Sequence, residues 1–206
     1  MIAMIDYDAG NIKSVEKAFN ALGEDIVVTR DKDILLNADG VVLPGVGSFG
    51  DAMNKLNEYQ LVDVIHQIVE KKIPFIGICL GMQLMFESSE ETPGVEGLGL
   101  LKGKILRIPD AEGFKVPHMG WNNLTYPNPG RLYKGIEENS FVYFVHSYYL
   151  AAEDPSIVKA ATDYNADIHA SVEKDNIFGC QFHPEKSSTV GMHILQNFIN
   201  VVKGVE

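Results

Sequence analysis

The chain has 206 residues, 46% of them hydrophobic, and 17 basic against 28 acidic residues leave a net charge of −11. That length accommodates a single domain over residues 1–206, and the composition excludes a disordered chain or a collagen-like fibre. The negative field repels phosphate backbones and anionic lipids, so neither nucleic acid nor membrane is an expected partner.

The opening "MIAMID" reads as a short apolar strand without the basic n-region of a signal peptide, and no apolar run reaches the roughly 18 residues that cross a bilayer. A cytoplasmic protein is expected. Ile12, Val15, Ala18, Phe19 and Leu22 then recur at helical spacing, with Gly23 placed to end the helix. "DIVVTR" and "GVVLPG" read as buried strands. Between Asp51 and Lys71, Met53, Leu56, Leu61, Val64, Ile65 and Ile68 predict one amphipathic helix. "IPFIGI" is again a strand, and Gly81 to Phe86 begins another helix. Strands separated by helices imply an α/β fold: an open, mostly parallel twisted sheet with helices on both faces.

From about Leu98 the signals become short strands with turns: "KILRIP", "NNLTY", "FVYFVHSYYL", "IVKAATDY", "IHASVE" and "IFGCQF". These predict additional short antiparallel strands in the second half. A last helix is expected from Ser187 to Lys203, with Val190, Ile194, Leu195, Phe198 and Val201 as its apolar stripe. The two cysteines, Cys79 and Cys180, belong to no CxxC or zinc spacing and read as thiols.

Cys79 lies in "GICLG", where a strand runs into a helix between two glycines. This is the cysteine form of a nucleophile elbow. The turn would lift the sulfur above the carboxyl edge of the sheet, at a helix N-terminus that favours thiolate, with the Leu80 amide pointing to where an oxyanion forms. The competing reading is a small buried residue at a helix start.

A nucleophile needs a base and an orienter. His183 ends an apolar strand in "FHPEKS". In an extended segment its side chain and that of Glu185 face the same way, with Pro184 stiffening the spacing. If the strands run parallel, His183 shares the sheet edge with Cys79. His146, in "YFVHSYY", is a competing base without a carboxylate two residues on. A metal site from Cys180, His183 and Glu185 lacks a fourth ligand at recognisable spacing, so no metal or other cofactor is expected.

Together, "GICLGMQ" and "FHPEKS" resemble the triad of the class I glutamine amidotransferases, and the resemblance spans essentially the whole chain. "LPGVGSFGDAM", "PHMGWN" and "YFVHSYY" are further similar to the glutaminase subunits of imidazole glycerol phosphate synthases. The resemblance implies a flavodoxin-like fold and a thioester mechanism with L-glutamine as substrate: Cys79 as nucleophile, His183 as base, Glu185 as orienter. It implies an oxyanion hole from the Leu80 amide and an amide of the Gly45-Val46-Gly47 turn, which flips into place when a partner holds its own substrate. Gln83 and Glu91 match positions that hold the α-amino and α-carboxylate ends of glutamine, although ordinary polar side chains facing solvent would also read this way. Ser147 and Tyr148 match a stretch that contacts substrate through backbone. The implied partner is a (β/α)8-barrel cyclase subunit that uses the ammonia to make imidazole glycerol phosphate and an aminoimidazole carboxamide ribotide in histidine biosynthesis. Met119, Trp121 and Lys186 are interface candidates, with core burial an alternative for Trp121. The other readings are a glutaminase subunit for a different acceptor and an inactive scaffold of the same fold.

Overall fold

The computed structural model describes residues 1–205. Its first half alternates β1 (Ile2–Ile5), α1 (Ile12–Ala21), β2 (Ile26–Thr29), α2 (Lys32–Leu36), β3 (Gly40–Leu43), α3 (Phe49–Glu58), α4 (Val62–Glu70), β4 (Phe75–Ile78) and α5 (Leu80–Leu84). The second half holds β5 (Ser88–Ser89), β6 (Gly103–Arg107), β7 (His118–Asn123), β8 (Phe141–His146), β9 (Tyr148–Ala152), β10 (Val158–Asp163), β11 (Asp167–Lys174), β12 (Ile177–Cys180) and α6 (Ser188–Lys203).

Seven strands form the main sheet in the order β10-β11-β12-β4-β3-β1-β2. The five from β12 to β2 run parallel, while β10 and β11 are antiparallel additions at one end. β1, β3, β4 and β12 are buried on both faces, as their continuous apolar runs require, while β2 at the edge is only partly covered. In β1, Ile2 and Met4 face one way with Phe19 of α1 and Phe198 of α6. Ala3 and Ile5 face the other, with Met53 of α3 and Ile65 of α4. Helices therefore cover both faces, as the strand–helix alternation predicts. Each fully buried Phe, Leu or Ile contributes roughly 1.5–3 kcal/mol, and Phe19, Phe75, Phe178 and Phe198 are all fully buried.

Three expectations need correction. The helix between Asp51 and Lys71 is two helices, broken where Gln60 takes φ 55° and Leu61 N bonds back to Leu56 O at 2.8 Å. The cause is visible in the spacing, because five residues from Leu56 to Leu61 put those side chains out of phase on one helix. The stretch "FVYFVHSYYL" is two strands in different sheets: β8 pairs with β7, and β9 pairs with β6. "NNLTY" is likewise displaced. The strand there is β7, through "HMGWNN", and Thr125 makes only an isolated bridge to Ala161. The short α2 lies in a stretch with no expected element; Asp31 caps it, accepting from the Asp33 and Ile34 amides at 2.9 and 3.1 Å.

Candidate active site

β4 and β12 are parallel neighbours in register, with Ile78 opposite Cys180. The residues that follow them therefore leave the same edge of the sheet. Cys79 N donates to Cys180 O at 2.7 Å, which ties the cysteine directly to the strand that leads to His183.

Cys79 has φ 54° and ψ −111°, a strained conformation for a non-glycine residue. The glycines permit it. A Cβ at Gly81 would lie 1.9 Å from Leu43 O, and one at Gly77 would lie 2.6 Å from the Gly81 carbonyl carbon. The elbow brings Cys79 to a cavity of about 380 Å³ that is also lined by Val46, Gly47, Leu80, Gln83, Glu91, Ser147, Tyr148 and His183. Cys180 is fully buried, its thiol pushed up to about 12 by burial, and it does not line the cavity.

His183 and Glu185 meet at 2.7 Å, Nδ1 to Oε1, with both side chains fully buried. The route differs from the extended one that the sequence suggests. His183 is extended, but Pro184–Lys186 forms a single 3-10 turn that folds the carboxylate back onto the ring. His183 N donates to Tyr143 O at 2.9 Å, and Ser187 Oγ donates to His183 O at 2.6 Å, so the turn is clasped to β8. A carboxylate only accepts, so Nδ1 carries a proton and Nε2 is the nitrogen left for another partner. Nε2 is buried and makes no hydrogen bond that meets both distance and angle, yet Cys79 is close enough to favour the imidazolium. Burial opposes that charge. The nearby sulfur of Cys79, then the Glu185 carboxylate, outweigh it and raise the His183 pKa to about 9.

His146, the competing candidate, has both ring nitrogens engaged. Its Nδ1 donates to Tyr148 O at 2.9 Å, which leaves Nε2 to accept from His118 Nδ1 at 3.0 Å. Burial pulls the pKa of His146 down to about 3 and that of His118 to about 4, so both rings are neutral. The pair anchors the Tyr148 carbonyl at the cavity wall.

Gln83 points inward, donating through Nε2 to Tyr148 O and to Gln181 Oε1, both at 2.9 Å. Glu91 lines the cavity while its Oε2 accepts from Phe49 N at 2.7 Å, at the start of α3. Neither is merely a polar surface residue. The turn at Gly45 departs from the expected oxyanion hole. The Leu80 amide donates to the Gly45 carbonyl at 3.3 Å, so an acceptor stands where a second donor is needed. Met119, Trp121 and Lys186 are all exposed, and Trp121 lies outside the core.

Two neighbours of the triad went unmarked in the sequence. Gln181, fully buried, donates through Nε2 to Cys79 Sγ at 3.8 Å. Asn11 Nδ2 donates to Glu185 Oε1 at 2.6 Å. A polar residue inside the apolar run "IFGCQF" was the available signal for the first.

The family model for class-I glutamine amidotransferases matches residues 3–202. The imidazole glycerol phosphate synthase subunit HisH of Geobacillus thermodenitrificans is 50% identical over 210 residues, covering 100% of this chain and 98% of that protein. The subunit of the same name from Methanocaldococcus jannaschii is 44% identical over 202 residues, covering 98% and 100%. Among solved structures, a glutamine amidotransferase crystal structure superposes with a TM-score of 0.77 at 18% identity, covering 98% of this chain and 100% of that one. PurLQS from Thermotoga maritima gives a TM-score of 0.74 at 22% identity, with 98% of each chain covered. The likeness to these two structures is one of fold.

Proposed function

The chain belongs to the class-I glutamine amidotransferases, and we infer that it is the glutaminase subunit of an imidazole glycerol phosphate synthase, hydrolysing glutamine and passing ammonia to a cyclase subunit. Similarity along its whole length to proteins of that name, from Geobacillus thermodenitrificans and from Methanocaldococcus jannaschii, supports the assignment. We propose that all of residues 1–206 act as one cytoplasmic amidotransferase domain. Among the described residues no helix is long and apolar enough to cross a membrane.

The observation that carries the mechanism is the buried His183–Glu185 pair at 2.7 Å, beside a cysteine held on a strained elbow in the same cavity. Cys79 Sγ attacks the side-chain amide carbon of glutamine while His183 holds the thiol proton. Collapse of the tetrahedral intermediate breaks the C–N bond, and His183 gives that proton to the departing ammonia. Water, deprotonated by His183, hydrolyses the thioester to glutamate and restores the thiol. Glu185 keeps the ring in its tautomer. Gln83, Glu91 and the backbone of Ser147 and Tyr148 receive the amino-acid end of the substrate.

The oxyanion hole is the unfinished part. With Leu80 N bonded to Gly45 O, the loop is in a resting orientation. Turning the Gly45–Val46 peptide, a rotation about Gly45 ψ and Val46 φ that the missing Cβ of Gly45 eases, would replace that carbonyl with the Val46 amide. We propose that docking of a (β/α)8-barrel cyclase holding its own substrate drives the turn, with Met119, Trp121 and Lys186 at the contact.

The test is glutamine turnover with and without the cyclase, on the wild type and on Cys79→Ala, followed by mass spectrometry after a glutamine-mimicking electrophile. Expected are slow turnover alone, fast turnover in the loaded complex, none in Cys79→Ala, and a label on Cys79 only. A label on Cys180, or turnover surviving in Cys79→Ala, would refute the mechanism.

A further inference from the structure

Asn11 precedes the first residue of α1 with φ 70° and ψ 4°. Left-handed backbone is costly for most side chains, and asparagine is among the few that tolerate it. An asparagine at this place ordinarily uses its side chain to bond the free amides of the first helical turn. Here it makes no such cap. Its Nδ2 donates instead to Glu185 Oε1 at 2.6 Å and lies 3.5 Å from His183 Nδ1. Glu185 Oε1 thus takes two donors, the imidazole and the amide, one from each end of the chain. A local rule given up beside a buried carboxylate points to a functional placement. The side chain does not line the glutamine cavity, so any effect it has on turnover runs through the two triad members it meets, Glu185 and His183.

We propose that Asn11 is a positioning residue of the glutaminase triad, its side-chain amide locking the Glu185 carboxylate in the orientation that His183 needs. The proposal rests on the roles given above to Cys79, His183 and Glu185.

Two variants assayed in the complex with the cyclase test it. Asn11→Gly keeps the backbone angle and removes the donor; it should lower kcat about tenfold and leave KM for glutamine within about twofold. Asn11→Asp sets a second carboxyl against Glu185, and two carboxylates sharing a site retain one proton more tightly. While protonated, the introduced carboxyl donates as the amide does, so kcat should approach the wild-type value at the acid end. As pH rises and that proton leaves, the deficit should grow. A merely structural role would give the same deficit at every pH.

Wild-type kcat in Asn11→Gly, a loss confined to KM, or a pH-independent loss in Asn11→Asp would each overturn the proposal. If Asn11→Asp does not fold, Asn11→Gly decides through the split between kcat and KM. Cys79→Ala, run in parallel, separates the two levels. Activity surviving there refutes the triad, whereas full activity in Asn11→Gly with none in Cys79→Ala refutes the role of Asn11 alone.

Discussion

His183 is fully buried, and burial alone would strip its charge; Cys79 and Glu185 reverse that and hold the pKa at about 9. A pKa raised on folding means that the native state binds the proton more tightly than the unfolded chain. The resulting stability is fully present below the ordinary value of 6.5 and is lost as pH rises through about 9. Cys79→Ala removes the larger of the two raising partners while burial persists. Its His183 pKa should therefore fall below the wild-type value, and the alkaline loss of stability should begin at lower pH. Ring chemical shifts of His183 followed by NMR across that range check this, and an unchanged midpoint would show that the sulfur does not touch the ring electrically. At this scale the sequence disclosed groups whose chemistry is announced by short spacing, such as His183 and Glu185. Asn11 and Gln181 escaped because their partners lie 174 and 102 residues away, a separation that no local pattern encodes.

Elements position the chemistry with little slack. The elbow between β4 and α5 exists because Gly81 passes against β3, where a methyl group would sit 1.9 Å from Leu43 O. Neither partner in that contact is a flexible side-chain end, so relief requires α5 or β3 to move. Gly81→Ala should thus cost about 3 kcal/mol or more, read as a lower urea midpoint with the slope unchanged. A wild-type midpoint would mean that the turn is less tightly determined than the contact implies. The oxyanion loop is seated from below as well. Tyr7 Oη donates to Pro44 O at 2.7 Å, and a Cβ at Gly10 would lie 2.6 Å from Val46 Cγ2. Holding the Pro44 carbonyl confines any peptide rotation to the residues after it. Periodicity made most parallel strands and α1 and α6 legible, since their side chains alternate between two helix-covered faces or repeat along one stripe. It failed where tertiary pairing decides, as at Ser147, across which one apolar run is shared between two sheets.

For the whole molecule, the question is which face the second subunit covers. β7 and β8 form a two-stranded sheet with Trp121 opposite Tyr143 and Asn123 opposite Phe141. Alternation sends His118, Val142, Phe144 and His146 inward, the two histidines towards the Tyr148 carbonyl at the cavity wall. The same alternation leaves Met119, Trp121 and Phe141 outward, 61%, 53% and 56% exposed. Three large apolar side chains on one face of one small sheet are more than scattered exposure explains, and such a patch marks an interaction surface. We propose Trp121 as its anchor, packed edge to face on Tyr143 at 6.1 Å and so held ready at little entropic cost. Trp121→Ala should weaken the complex with the cyclase by about 2 kcal/mol, roughly thirtyfold in Kd by calorimetry. Because the indole is half outside the fold, thermal unfolding of the isolated chain should change by no more than about 0.5 kcal/mol. Unchanged affinity with lowered stability would reverse the assignment and make this strand pair a structural element rather than the docking face. The backing of that face by His118 and His146 gives the expected result a second signature. Glutamine turnover in the complex, once saturated with cyclase, should recover towards wild type, because the substitution removes contact area and leaves the histidine pair intact.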